Sequence, residues 1–421
     1  MKQIEMKGLN EVIHFEQLEN GLPIYIWVNE KVNGFYATFS TKFGSIDTEF
    51  KVGNKTIKLP HGTAHFLEHL KFNEPNGKNA QDFYQEMGSD INAFTTFDFT
   101  SYLVYGTEKI EENLKHLIEF VLTPEFNEKM VNNEKGIITE ENKMDQDNPS
   151  NKLFYGAYQN LFYNYNQQFL ITGTEKDIKD TSLVDIQNAF QYFYHPKNMF
   201  VVVTGKVNPY DVVKTISEAT EGMEFEEFKE PKRKQLKEPA RVVKDFELIE
   251  TNVEIPKLKY SLKIPRKKFN VDDLKLRIIL SLILNCTFGT TSDLREELKS
   301  KNLILYMNAD RILIEDYVII SITIETNYPD EIIKILDESW DLQVNERDIK
   351  RKIKSSIANM VLAYDDITEV NGMIQDYLVI YEELITDLKE IYENLSMEEV
   401  NEVLNKISAK EKSVIVLKPK K

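Results

Sequence analysis

The 421-residue chain has a single cysteine, Cys286. No intrachain disulfide can form, and a structural zinc site built on several thiolates is excluded. Cys286 sits in the apolar run 278–286, where a small buried hydrophobe is its expected role. That run is far short of the roughly 20 apolar residues needed to span a bilayer. Residues 1–10 mix charges with no apolar core, so no secretory signal is expected and the reading is cytoplasmic. Positive charge is in deficit: 52 lysines and arginines stand against 69 aspartates and glutamates, a formal net charge of −17. Phosphate binding needs a basic surface, so the charge argues against a nucleic-acid partner and none is expected. An acidic surface would suit a cationic peptide, although most acidic proteins are simply acidic.

The hydrophobic share of 42% and charged share of 29% are those of an ordinary globular protein. At roughly 100–200 residues per domain, the length allows two to four domains. Aromatic and aliphatic runs at 22–28 and 35–43 read as strands, and Thr63–Phe72 as a helix with no breaker inside it. Residues 79–87 form a second helical stretch ended by Gly88, and 91–107 holds two strand-like runs. Segment 108–122 is an amphipathic helix with Ile110, Leu114, Leu117, Ile118 and Val121 on one face. Residues 131–144 are helical, and 200–205 is a buried strand. The charged segment 224–243, with Pro231 and Pro239, reads as an exposed inter-domain linker. Beyond it the rhythm repeats: strand 259–264, helix 274–286, strand 317–324, helix 330–344 and a closing strand 413–417. That parallel order suggests a duplicated α+β unit. Its parts are residues 1–222, a linker 223–245, and residues 246–421.

The chemistry-bearing segment is His61-Gly62-Thr63-Ala64-His65-Phe66-Leu67-Glu68-His69. His65 and His69 are four apart, which on a helix puts both imidazoles on one face at the spacing two ligands of one zinc require. Glu68 lies beside them, placed to take a proton from water. The order His-x-x-Glu-His inverts the commoner His-Glu-x-x-His. Two histidines and a glutamate on a helix are usually an ordinary surface. Here three of the six histidines fall within nine residues, and Phe66, Leu67 and Leu70 would bury the helix where unpaired imidazoles are poorly tolerated.

A catalytic zinc takes a third protein ligand and keeps one position open. Helix 131–144 offers Glu134, Glu140 and Glu141. Glu134 and Glu141, nearly two turns apart, share a face, while Glu140 is turned away by about 100°. A ligand and a carboxylate that steadies a ligand histidine need such a shared face, which assigns Glu141 to the metal and Glu134 to the supporting role. The plain alternative is that all three are solvated helix charges.

The run His65-Phe66-Leu67-Glu68-His69, with Glu141 following His69 by 72 residues in Glu134-Lys135-Gly136-Ile137-Ile138-Thr139-Glu140-Glu141, resembles the pitrilysin/insulinase family of zinc peptidases. Phe43-Gly44-Ser45-Ile46-Asp47, Asn92-Ala93-Phe94-Thr95, Asp147-Asn148-Pro149 and Tyr194-His195-Pro196-Lys197-Asn198-Met199 are similar to further family segments in the same order. The style is that of small bacterial members found as two-gene pairs. The resemblance implies an α+β fold of two homologous domains, each an antiparallel-rich sheet with helices packed on one face. Together they would form one half of a clam-shell, with one Zn2+ per chain. It implies substrate binding along Asn92, Ala93 and Phe94. It also implies a dimer in which the opposite half lends an arginine and a tyrosine. Arg295 and Tyr306 are the candidates for that pair here, but Tyr306 is off register and Asn302 replaces a glycine. The expected partner is therefore a homologous subunit without zinc, with a homodimer as the other possibility.

The chemistry implied is zinc-assisted hydrolysis of unfolded peptides or of leader and precursor segments, with Glu68 as base. A non-catalytic peptide-binding or scaffold subunit is the rival reading, and such members have usually lost residues of the zinc motif. A zinc hydrolase acting on something other than peptides has no support outside the motif.

Overall fold

A computed structural model describes residues 1–72, 80–340 and 342–420. The chain forms two compact units, each assembled from three stretches. The first unit comprises Met1–Lys143, Phe169–Gln235 and Met360–Leu388, and the second comprises Met144–Gln168, Leu236–Asn359 and Lys389–Lys421.

The first unit contributes β1 (Lys2–Met6), β2 (Glu11–Gln17), β3 (Pro23–Val28), β4 (Phe35–Thr41), β5 (Glu49–Val52), β6 (Lys55–Lys58), β7 (Ser89–Thr95), β8 (Thr100–Gly106), β9 (Met199–Gly205) and β10 (Lys232–Arg233). Seven of them form one sheet in the order β1-β2-β3-β9-β4-β8-β7. The pair β3–β9 is parallel and its other pairs are antiparallel. The second unit contributes β11 (Phe246–Thr251), β12 (Lys257–Pro265), β13 (Tyr306–Ile314), β14 (Tyr317–Glu325) and β15 (Lys412–Pro419), ordered β11-β15-β12-β14-β13. Here too the first strand runs parallel to the last, and the other pairs are antiparallel. The order β3-β9-β4-β8-β7 in one unit is thus repeated, strand for strand, in the other. The duplicated α+β unit read from the rhythm of the sequence is a duplicated topology.

Hydrophobic pattern places the strands. β9 is Met-Phe-Val-Val-Val-Thr-Gly, buried at every position, as a central strand covered on both faces must be. β7 alternates between buried and exposed residues, as an edge strand does. On one face of the first sheet, Ala37, Phe39, Val201 and Val203 join a core with Phe66, Leu67 and Leu70 of the helix Thr63–Phe72. The opposite face is also covered, by the late helix Ile367–Ile380. Its seat is a polar ladder. Thr38 Oγ1 donates to Asn371 Oδ1 (2.9 Å), Ser40 and Ser101 Oγ donate to Gln375 Oε1 (2.9 and 3.0 Å), and Gln375 Nε2 donates to Asn371 Oδ1 (2.9 Å). In the second unit the helix Pro149–Leu161 packs Leu153 and Ala157 against Ile415 and Leu417 of β15. In the first unit, where helices packed on one face were expected, helices cover both faces of the sheet.

Three local expectations need correction. The helix expected over 330–344 spans Pro329–Glu338: the Ser339 hydroxyl bonds back to the Ile335 carbonyl (2.6 Å) at its end. Asp341 and Asn79, parts of two expected helices, lie outside the described residues. Segment 224–243 is largely irregular but is no free tether. Lys232–Arg233 pairs with β5, and Arg233 Nε reaches Asp47 Oδ1 at 2.8 Å. Within the second unit, Glu238 is fully buried in an ion pair with Lys263 (2.7 Å). Cys286 is only half-buried, and that burial pushes its thiol pKa up to about 11. No helix among the described residues is long and apolar enough to cross a membrane.

The ladder beneath helix Ile367–Ile380 makes a testable prediction. Gln375→Leu removes the acceptor shared by the Ser40 and Ser101 hydroxyls and leaves them only each other (2.9 Å), so one buried O–H loses its acceptor, worth about 1–3 kcal/mol. Urea unfolding should show a loss of stability of at least that size. An unchanged midpoint would mean that the ladder sets register without contributing stability.

Candidate metal centre

His65 and His69 sit on the helix Thr63–Phe72, which is almost wholly buried because Ala64, Phe66, Leu67 and Leu70 face the core. The 3.6-residue repeat stacks the two rings on one side, with centroids 4.5 Å apart. Opposite lies the helix Glu128–Asp147, a polar helix that buries only Val131, Glu134, Ile138 and Asn142. It turns Glu134 and Glu141 toward the histidines. Glu141 Oε1 is 3.5 Å from His65 Nε2, and its Oε2 is 3.3 Å from His69 Nε2. Glu134 Oε1 is 2.9 Å from His69 Nδ1. Glu140 points away and pairs with Lys143 at 2.7 Å, its side chain 72% exposed.

One ligating atom from each of His65, His69 and Glu141 lies within 4.8 Å of the others. It is the only such grouping of three or more His, Cys, Asp or Glu found among the described residues. The donor chemistry fits a zinc-like cation. Two imidazole nitrogens and a carboxylate converge, and the buried Glu141 Oε2 has no well-formed hydrogen bond among the described residues despite the ring nitrogen 3.3 Å away. A proton on His69 Nδ1, donated to Glu134, leaves Nε2 with its lone pair toward Glu141, the tautomer a ligand needs. Without a cation the same groups pair with protons. Burial disfavours charge on His69, but the Glu134 and Glu141 carboxylates outweigh it and push its pKa up to about 10. The two facing imidazoles hold the Glu141 carboxyl well below its usual range.

Glu68 is set apart from these three. It is 7% exposed, and its Oε2 accepts from Thr95 Oγ1 at 2.5 Å. Burial raises its pKa, against the lowering pull of His65 and of the Thr95 hydrogen bond. A buried carboxylate that resists ionisation is suited to taking up a proton. Asn92, Ala93 and Phe94 lie on β7, the strand at the end of the seven-stranded sheet. Phe94 is 37% exposed, and Asn92 Oδ1 accepts the Ala93 N–H at 2.8 Å. Arg295, half-buried on the helix Asp293–Ser300, and Tyr306, exposed at the start of β13, belong to the second unit.

Two contributors escaped the sequence reading. Thr95 could have been found from strand alternation: with Asn92 and Phe94 outward, Thr95 points inward. Lys71 gave no signal. It is buried two residues after His69, donates to the Thr123 carbonyl (2.5 Å) and lies over the rings of Phe120, Phe126 and Phe190 at 5.3–5.7 Å.

The family model for Insulinase (Peptidase family M16) matches residues 58–174, and that for the Peptidase M16 inactive domain matches residues 181–353. An uncharacterized zinc protease of Bacillus subtilis, YmfH, is 36% identical over 307 residues, 72% of either chain. The fold is that of a crystal structure assigned to an M16-like peptidase of Alicyclobacillus acidocaldarius, with TM-score 0.93 at 22% identity over 99% of this chain and 100% of that one. The periplasmic protease PqqL of Escherichia coli matches with TM-score 0.75 at 16% identity, over all of this chain and 48% of PqqL.

The two glutamates of one helical turn provide the test of the cluster. Glu141→Gln should reduce zinc content measured on the purified protein, whereas Glu140→Gln should leave it at the wild-type level. The reverse result would reject the ligand assignment.

Proposed function

The chain belongs to the insulinase family, peptidase family M16, and from that premise we propose that it is a zinc-dependent endopeptidase acting on unfolded peptides or on leader and precursor segments. The observation that carries this reading is the separation of roles around one point. Three groups converge as ligands, while Glu68 lies buried beside them with its own partner. A scaffold subunit has no need of an intact base next to an intact ligand set.

Zinc held by His65, His69 and Glu141 would supply Lewis acidity, acidifying water and polarising a scissile carbonyl. Thr95 occupies Glu68 Oε2, so Oε1 is the atom that accepts the proton of the attacking water and passes it to the leaving amine nitrogen. Glu134 holds His69 in the tautomer that presents Nε2. The substrate would add as a strand to the outer edge of β7 at Asn92, Ala93 and Phe94. Backbone pairing of that kind gives affinity with little sequence demand. A strand taking over the Ala93 N–H would release the Asn92 amide.

The proposal extends to a partner. The chain spans about half of PqqL, which supports its acting as one of two halves. Arg295 and Tyr306 are eleven residues apart and out of the register expected for a working pair. A homologous subunit lacking His-x-x-Glu-His but carrying that pair would complete the site.

Glu68→Gln should keep its zinc and lose peptidase activity by at least the ~10²–10⁴ typical of a lost general base. Near wild-type cleavage by this variant would sink the role given to Glu68. The isolated chain should be a weak peptidase that gains about 10²–10³ in rate when the complementary subunit is added. A homodimer fully active alone, and crippled by Arg295→Ala or Tyr306→Phe, would overturn the heterodimer.

A further inference from the structure

The two imidazoles of the cluster are not supported alike. His69 Nδ1 is held by Glu134 at 2.9 Å, whereas His65 Nδ1 is buried with no hydrogen-bond partner among the described residues. Apart from Glu141 Oε1, 3.5 Å from the metal-facing Nε2, no polar group among the described residues holds the His65 ring, so its place depends on the backbone of the first helical turn.

That turn is held from outside the helix. Gly62, three residues before His65, has φ +84°, and its carbonyl accepts the Phe66 N–H (2.9 Å) as the helix begins. Gly173 has φ +80°. A Cβ on Gly62 would lie 2.3 Å from the Thr172 carbonyl oxygen, and one on Gly173 would lie 2.3 Å from the His61 carbonyl oxygen. The two backbones therefore touch with no side chain between them, a contact only glycine permits at these angles. The His61 ring lies tilted against Phe169 from the same loop, with centroids 4.0 Å apart.

The loop is in turn gripped by the residue after Glu141. Asn142 is completely buried on an otherwise polar helix. Its Nδ2 donates to Thr172 Oγ1 at 2.7 Å and to the Gly173 carbonyl at 2.8 Å. A continuous path thus runs from Glu141 through Asn142, Gly173 and Gly62 to His65.

We infer that Asn142 is a positioning residue for the metal centre, clamping the Thr172–Gly173 loop so that Glu141 and His65 keep their spacing. This rests on the zinc reading above. For His65, the amide does through the backbone what Glu134 does for His69 through a hydrogen bond. Outer partners that orient metal ligands typically contribute about 10–100-fold to metal affinity.

The test is zinc affinity by chelator competition, together with the visible spectrum of the cobalt(II)-substituted protein. Asn142→Leu keeps the volume, adds no charge and removes both donated bonds. It should bind zinc about 10–100-fold more weakly, with an altered cobalt spectrum. Thr172→Val, which removes one acceptor and is the milder change should Asn142→Leu not fold, should shift both readouts in the same direction by less. Glu140→Gln, on the exposed side of the helix, should move neither. Variants that melt earlier yet keep wild-type zinc affinity and cobalt spectrum would overturn the inference and leave Asn142 a purely structural residue. Wild-type protein that binds no zinc would overturn the metal reading itself, and this inference with it.

Discussion

The centre depends on bringing two carboxylates, one of them buried, against two imidazoles at the contact of two helices. Glu134 is 4% exposed and His65 8% exposed, and burying charged or polar groups costs free energy that pairing offsets. Glu134 is paired with His69, and Glu141 is held between two rings. The cost of that burial is met by a hydrophobic core that locks the histidine helix on its other side through Phe66, Leu67 and Leu70. Move either helix by a fraction of a turn and the carboxylates would face apolar side chains.

The rest of the first unit serves that contact. The histidine helix lies in the crossover between β4 and β7, so the sheet that anchors it also delivers Thr95 to Glu68. Lys71 fastens the end of the helix to the Thr123 carbonyl, just ahead of the segment leading to the glutamate helix. The second unit repeats the five-strand order but carries no comparable ligand grouping among the described residues. Fold and chemistry are therefore separable: the topology is a scaffold used twice, and the histidine-glutamate pattern is set into one copy.

Much of this was legible in the chain itself. Thr63–Phe72 was read to its boundaries because nothing in it breaks a helix and its apolar residues recur on one face. The 3.6-residue period alone separated Glu140 from Glu134 and Glu141, and the structure turns Glu140 to solvent beside Lys143. Other elements carry weaker signals. The hairpin of β1 and β2 begins with charged residues, Lys2, Glu5 and Glu11, and it became a strand pair through its neighbours. The helix at 330–344 ran short because a serine hydroxyl captured a carbonyl, an outcome that composition does not announce.

The sequence by itself determined the candidate ligand set, because ligand types and helical spacing are local properties fixed within a turn or two of backbone. It also determined the repeated α+β rhythm, which is a pattern of strand and helix periods. Only the tertiary structure decided which distant groups pack around that set and its sheet. Asn142 against Gly173, Lys71 against Thr123 and the helix Ile367–Ile380 over β4 are joined by contacts between segments far apart in sequence or by single buried polar atoms. No periodicity records such contacts, because each depends on where another part of the chain comes to rest.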